Sequence, residues 1–406
     1  MRRVFIVGVG MTRFGKHPGQ SYKQLAVTAA RAALDDAGLS ATAVESAFVA
    51  NALGASTTHQ EMIAGQVALR SLGIADIPVF NIENACASAS SALHLGWMSV
   101  ASGAVDVSLA VGCEVMTSAP KADVARAIGR GLDVETYAEG DAPTGRSAFM
   151  ELYASLARDY MERTGCTSRV FAEVAAKNYR HGAANELAQF GAELDADAVL
   201  ASRSIIDPLT LLMCSPFSDG AAAAVIVSED VLGRCSGRPV EVLASVIASG
   251  SADPSIDGNA VVKASRRAYE TAGIGPADLS MVELHDAVAP AEVWEYEDLG
   301  LAAPGDGPKL VAERATSLGG RIPVNPSGGL VARGHPIGAT GLGQIHEAVV
   351  QLRGQAGPRQ IDGAHLALTQ NAGGYVELDN AAIAIHILGS TESRPRPRHG
   401  PALASE

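Results

Sequence analysis

The stretch Asn84-Ala85-Cys86-Ala87-Ser88-Ala89-Ser90-Ser91 decides how the rest of this chain is read. Before it runs an extended segment, Ile77-Pro78-Val79-Phe80-Asn81-Ile82. After it comes a small-residue apolar segment, Ala92-Leu93-His94-Leu95-Gly96-Trp97-Met98-Ser99-Val100. The pattern is strand, sharp turn, helix, with Cys86 at or near the helix start. Unpaired backbone N–H groups and a partial positive charge gather there, and both favour a thiolate, the nucleophilic form of cysteine. On this stretch alone a reactive thiol and a small apolar filler have equal standing.

Length and composition bound the answer. With 406 residues, 47% of them hydrophobic and 18% charged, the chain can build two domains or one large duplicated core. A formal net charge of -13 argues against general binding to nucleic acid or an anionic membrane, and still allows an anionic ligand on a local basic patch. The five cysteines, Cys86, Cys113, Cys166, Cys214 and Cys235, form no CxxC pair, so no metal site is expected. A sparse, odd set suits a reducing compartment. The apolar run at the N-terminus is too short for a signal peptide and is broken by Gly8 and Gly10, and no stretch reaches the ~18 apolar residues of a membrane span. The expected location is the cytoplasm.

Along the chain, Val4–Val9 reads as a strand and Tyr22–Asp36 as a helix closed by Gly38. Strands are expected at Val44–Ala50 and Val79–Ile82, with a helix at Glu61–Leu72 between them. The Cys86 helix ends near Gly103, and Val105–Val111 is of near-continuous apolar character, as in a sheet covered on both faces. The order then repeats. Segment 31–52, RAALDDAGLSATAVESAFVANA, and segment 266–287, RRAYETAGIGPADLSMVELHDA, place helix, cap, linker and strand alike. Gly338–Gln351 matches the helix after Cys86, and Gly363–Thr369 matches Gly103–Leu109. A duplicated α/β unit explains the length. Its first half is expected over 1–116 and 208–235, its second over 236–390. An inserted loop domain covers 117–207, with helices at Ala148–Thr164 and Val170–His181, and 391–406 reads as a disordered tail.

Three further motifs fall where a doubly wound sheet places ligands, at strand ends leading into loops. They are Glu283-Leu284-His285-Asp286-Ala287; Asn325-Pro326-Ser327-Gly328-Gly329 followed by Arg333-Gly334-His335-Pro336-Ile337-Gly338-Ala339-Thr340-Gly341; and Thr369-Gln370-Asn371-Ala372-Gly373-Gly374. A cysteine, two histidines and a Gly-Gly turn point to covalent catalysis, with one imidazole activating the thiol and backbone N–H groups receiving an oxyanion. Gly8-Val9-Gly10 is an incomplete dinucleotide fingerprint, because position 13 is Arg13. Lys121, Arg126 and Arg130 either face an anionic ligand or form a solvated charged surface.

These motifs resemble the thiolase family over almost the whole chain. GHPIGATG is the most specific, and ELHDA is similar to the sterol-carrier-protein-type or lipid-transfer-protein-like branch. The resemblance implies a duplicated αβαβα five-layer fold, a homodimer and coenzyme A thioesters as substrates, with coenzyme A itself a substrate and no covalently bound cofactor. It implies Cys86 as the acyl-accepting nucleophile and His335 as its base. His285 would help form one oxyanion hole, and the N–H groups of Cys86 and Gly373 a second. Asn325, Gly328, Gly334 and Asn371 are expected to bind substrate. Some relatives of this kind pair with a small zinc-ribbon/OB-fold protein that binds acyl-coenzyme A.

One departure stands out. Thiolases carry a second cysteine that moves the proton at the substrate α-carbon. In the main branch it opens the last motif, where this chain has Asn371; in the sterol-carrier branch it follows His-Asp, where this chain has Ala287. Asparagine is no base near neutral pH. The proton would then move by His285, His335 or a tyrosine, or the reaction would differ: a retro-aldol cleavage or acyl transfer to another acceptor.

Overall fold

The computed structural model describes residues 2–136, 148–253 and 258–391. The expected tail therefore lies outside the described residues, save its first position, as does part of the insertion. Nine strands form one sheet. The first half supplies β1 (Val4–Met11), β2 (Ser46–Ala50), β3 (Val79–Ile82), β4 (Val107–Glu114) and β5 (Gly220–Ser228). The second supplies β6 (Val240–Ser249), β7 (Met281–Glu283), β8 (Leu366–Val376) and β9 (Asp379–Ser390).

The order β3-β2-β4-β5-β1-β6-β9-β8-β7 is one motif written twice about the middle. β2 lies parallel to β4, and β4 antiparallel to β5; β7 lies parallel to β8, and β8 antiparallel to β9. β3 pairs in parallel with β2, and its counterpart shrinks to one bridge between Val282 and Val324. Within the sheet, among the described residues, the strands of the two halves pair at Phe5–Glu241 and Ile6–Val240.

Strand alternation sets the layers, because successive side chains point to opposite faces. Phe5, Val7, Leu109, Val111 and Val225 pack with helix α1 (Tyr22–Ala37), while Val4, Ile6, Ala110, Ala224 and Ile226 turn toward helix α2 (Ser88–Ala101). In the second half Leu366, Leu368, Ile383 and Ile385 pack with helix α3 (Ala260–Ala272). Met281, Ala367 and Leu388 share the middle core with α2 and helix α4 (Thr340–Leu352). The two halves of the one sheet thus share a core with α2 and α4 between them, and the chain stacks as five layers, helix–sheet–helix–sheet–helix. The outer helices keep matching ends: Ser21 and Asn259 cap α1 and α3, and Gly38 (φ +69°) and Gly273 (φ +68°) close them.

The segment read as an insertion shares its core with the second half. Ala157, Tyr160, Phe171, Val174 and Ala175, from helices Ala148–Thr164 and Ser168–Ala183, pack with Val282, Val293 and Leu368. The expected strand Leu279–His285 pairs only over Met281–Glu283, and the expected helix Glu61–Leu72 is Ala64–Leu69 plus a 3-10 turn at Arg70–Leu72. Among the described residues no helix is long and apolar enough to cross a membrane.

Gly8-Val9-Gly10 is part of strand β1 and forms no loop. A Cβ at Gly8 would lie 2.1 Å from the Ala33 carbonyl oxygen, and one at Gly10 2.3 Å from that of Ala29. The glycines let α1 lie flat on the sheet. Gly8→Val should therefore lower unfolding free energy in urea by about 1–3 kcal/mol or more through overpacking; an unchanged urea midpoint would show that α1 does not need this close approach.

Candidate active site

β3 ends at Ile82, and the chain turns through Asn84–Ala87 before α2 starts at Ser88. The turn is tight. Ala85 holds φ +47°, a conformation uncommon for a residue with a side chain. Ala87 N–H donates to the Asn84 carbonyl at 3.0 Å, Asn84 N–H to Ser88 Oγ at 2.8 Å, and Ser88 Oγ to the Ala85 carbonyl at 2.6 Å. Gly373 of β8 rests against this turn. A Cβ there would lie 2.4 Å from the Asn84 carbonyl oxygen and 2.7 Å from Ala87 N.

Cys86 is thereby left half-buried on the wall of a cavity of about 920 Å³. His285, His335, Ala287, Gly373 and Gly374 share that wall. The ligating atoms of Cys86, His285 and His335 all lie within 4.8 Å of one another. The two imidazoles meet edge to face, with centroids 5.2 Å apart and planes at 81°. The rest of the lining is largely apolar: Met116, Ile128, Phe217, Trp294, and one face of the helix Ala148–Thr164 bearing Phe149, Leu152, Tyr153 and Leu156.

The duplication brings these groups together. α2 and α4 are equivalent helices whose first turns touch: a Cβ at Gly341 would lie 2.1 Å from Ser90 Oγ. Cys86 precedes one helix and His335 the other. His335 is held by its backbone N–H, which donates to Ser218 Oγ at 2.9 Å, and by Nδ1, 2.7 Å from Thr340 Oγ1. Thr340 gives its own proton to the Pro336 carbonyl at 3.0 Å, so it accepts from His335 Nδ1–H. That leaves His335 Nε2 as a lone pair.

His285 has the opposite tautomer. Ser90 Oγ donates to Asn371 Oδ1 at 3.1 Å, which orients the Asn371 amide so that Nδ2–H donates to His285 Nδ1 at 2.9 Å. His285 Nε2 therefore carries the proton. It can donate to an oxyanion and is not set up to ligate a metal. Burial keeps both rings neutral: His285 is lowered to about 3 by burial and then by Arg333, and His335 falls well below the usual histidine range through burial, His285 and Arg333.

The expectation of a thiolate stabilised by the helix start is corrected here. Burial, and secondarily the Glu114 carboxylate, push the Cys86 thiol up to about 12. Helix α2 begins at Ser88, two residues later, so Cys86 lies outside its first turn, where the dipole's effect is concentrated. The pair is a neutral thiol beside a neutral imidazole.

None of Asn325, Gly328, Gly334 and Asn371, expected to bind substrate, lies among the cavity-lining residues; they stand behind the wall. Asn325 (φ +52°) accepts from Leu284 N–H at 2.9 Å and donates to Glu292 at 2.8 Å, bracing the strand end that carries His285. Gly328 and Gly334 have φ of +103° and +107°; a Cβ at Gly334 would lie 2.9 Å from Ser218 Oγ, the acceptor for His335 N–H. Asp286 accepts from Leu330 N–H at 2.7 Å and Asn178 Nδ2 at 2.8 Å, anchoring the short helix Gly329–Arg333. Sequence reasoning missed Glu114. Fully buried at the end of β4, it accepts from Asn51 Nδ2 at 2.8 Å, Ala52 N–H at 3.0 Å and Gly338 N–H at 3.0 Å, clamping both halves beside Cys86. Cys214, read as structural, lines the cavity with its thiol donating to the Thr210 carbonyl at 3.4 Å. Of Lys121, Arg126 and Arg130, only Arg130 lines the cavity.

A thiol titrating near 12 sets a clear expectation. Carbamidomethylation of Cys86 by iodoacetamide, followed by peptide mass spectrometry, should quicken about tenfold per pH unit from about pH 6 to about pH 9. A rate already level at neutral pH would mean a preformed thiolate–imidazolium pair.

Comparison with known proteins agrees with this architecture. The profile for the thiolase N-terminal domain matches residues 4–230, and that for the thiolase C-terminal domain matches residues 245–387. Bovine sterol carrier protein 2 is 39% identical over 389 residues, covering 91% of this chain and 70% of that one. The acetyl-CoA acetyltransferase of Methanothermobacter thermautotrophicus is 38% identical over 394 residues, covering 95% of this chain and 99% of the other. Among solved structures, the Ltp2-ChsH2(DUF35) aldolase superposes with a TM-score of 0.81 at 25% identity, over 97% of this chain and 99% of that one. The fold, the duplicated halves and these matches together make the chain a member of the thiolase family of acyltransferases.

Proposed function

We propose that the chain cleaves 3-oxoacyl-coenzyme A with coenzyme A, or runs the reverse Claisen condensation, through an acyl-Cys86 intermediate. The observation that carries this reading is the grouping of Cys86, His285 and His335 within 4.8 Å on the wall of one cavity. His335 Nε2 takes the Cys86 proton as sulfur attacks the 3-keto carbon. The N–H groups of Cys86 and Gly373 hold the resulting oxyanion, a role supported by the contact of Gly373 with the Cys86 turn. The bond between C2 and C3 then breaks. His285 Nε2–H donates to the thioester enolate oxygen, and the imidazolium of His335 returns its proton to C2, releasing acetyl-coenzyme A.

This route needs no second thiol. Ala287 offers none, and Asn371 is committed to Ser90 and His285. In the second half-reaction His335 takes the proton of coenzyme A, its sulfur attacks the acyl-Cys86 carbonyl, and the proton passes to Cys86 as the thiol leaves. Atoms balance in both halves. Asn325, Gly328, Gly334 and Asn371 act in this scheme by positioning the two histidines.

The cavity volume and apolar lining support a bulky acyl group, aromatic or sterol-derived. β3 is an edge strand with Phe80 49% exposed, and nearby Met62 and Ile63 are 84% and 54% exposed, which supports a homodimer paired through this edge. Five free cysteines support a reducing, cytoplasmic setting. A second reading, that the chain is the catalytic subunit of a complex with a small zinc-ribbon/OB-fold protein, is favoured by its similarity to a structure described as an Ltp2-ChsH2(DUF35) aldolase. Retention of Cys86 favours acyl transfer over the retro-aldol reaction in either assembly.

Incubation with a panel of 3-oxoacyl-coenzyme A thioesters without free coenzyme A, followed by intact-mass analysis, should add one acyl mass to Cys86, and coenzyme A should discharge it. Cys86→Ala should lose thiolysis by roughly a thousandfold or more. Full turnover by that variant, or cleavage of 3-hydroxyacyl thioesters with no adduct, would overturn the acyl-enzyme reading. Activity appearing only with a co-purified small subunit would establish the second assembly.

A further inference from the structure

Three glutamates line the acyl cavity, and the mechanism above uses none of them; Glu61 and Glu83 are exposed, whereas the third is buried. Glu295, on the helix Ala289–Asp298, lines the cavity beside Trp294, Ala291, Ala372 and Gly374. The residue is 5% exposed, and its Oε2 is sealed from solvent with no hydrogen-bond partner. Burial, reinforced by Asp298 and Asp379, raises its carboxyl well above the usual range, so it stands as a neutral acid able both to donate and to accept. Tyr153 lines the same cavity from the facing helix. Its phenol is pushed up by burial and then by Cys86, Glu295 and Tyr375, so Tyr153 lies within electrostatic reach of both the sulfur and the buried carboxyl.

A buried polar group without a partner is unusual in a folded interior unless something binds it. Glu295 and Cys86 line the same cavity, so an acyl group carried to Cys86 can bring the partner with it. A neutral acid in this wall selects a neutral oxygen and disfavours an ionised one, since the charges that act on Glu295, those of Asp298 and Asp379, are negative. We propose that Glu295, with the Tyr153 hydroxyl, forms a hydrogen-bonding subsite inside the acyl cavity that reads a neutral hydroxyl or keto oxygen carried by the acyl group, beyond the reacting 3-keto function. The inference rests on the acyl-coenzyme A reading above and narrows its substrate class to oxygenated acyl chains.

The test uses paired 3-oxoacyl-coenzyme A thioesters on alicyclic and aromatic frames, each with and without one added hydroxyl or keto group, assayed for kcat/KM and for acylation of Cys86. The wild-type chain should prefer an oxygenated member by about tenfold or more, because a site built to hydrogen-bond an oxygen rejects the analogue lacking it. Glu295→Leu should reverse or erase that ratio, with turnover of the deoxy member rising. Glu295→Gln, which keeps a donor and the shape, should retain part of it. Thermal melts of both variants separate loss of folding from loss of recognition. A wild-type preference for every deoxy member, or a ratio unmoved by Glu295→Leu, overturns the subsite while leaving the acyltransferase reading intact. No adduct on Cys86 from any thioester overturns both.

Discussion

Thr340 gives its hydroxyl proton to the Pro336 carbonyl, so toward His335 its oxygen can only accept. That small constraint decides which nitrogen of His335 faces Cys86 as a base. A matching constraint acts on the other ring, where Ser90 orients the Asn371 amide and Asn371 in turn fills the Nδ1 of His285. One imidazole is thereby a base and its neighbour a donor, although both sit in the same buried space. Neither can carry a standing charge there, and the thiol between them cannot either. Charge appears only during the reaction, where it forms and is consumed within the same few ångströms.

The scaffold that imposes these tautomers is the duplication. Each half delivers a strand, a turn and a central helix to the same plane, and the first turns of the two helices come within contact because Gly341 has no side chain. Glu114 and Asp286 then anchor the turns from opposite halves, each with backbone N–H groups as partners. Removing either would strand several buried donors at once, at a cost of about 1–3 kcal/mol for each. The site is thus held by two buried carboxyl anchors more than by the loop sequence around it.

Much of this was legible in the sequence. The strand Val79–Ile82 and the end of the helix at Thr164 fall where the sequence reading puts them, and the repeat was visible in the paired segments ending at Ala52 and Ala287. Other elements were hidden by competing signals. The run Leu279–His285 is apolar enough for a strand, yet after Glu283 the chain must leave the sheet to turn His285 inward. The helix Ala289–Asp298 has Pro290 in its first turn, where proline is tolerated but reads as a breaker. The thiolate failed as an expectation because a helix-end argument knows nothing of burial. The roles of Asn371, Glu114 and Glu295 depend on neighbours hundreds of residues away or on the shape of a cavity, and no local pattern announces them.

The most direct measurement is the protonation state of the two rings. Long-range 1H–15N spectra of protein labelled with 15N-histidine, assigned with His285→Gln and His335→Gln, read each nitrogen separately. Both rings should be neutral from about pH 5 to about pH 8, with the proton of His335 on Nδ1 and that of His285 on Nε2. An imidazolium at His335 that disappears in Cys86→Ser would contradict the account, because it would mean that the thiol and the ring already share their charge before any substrate arrives.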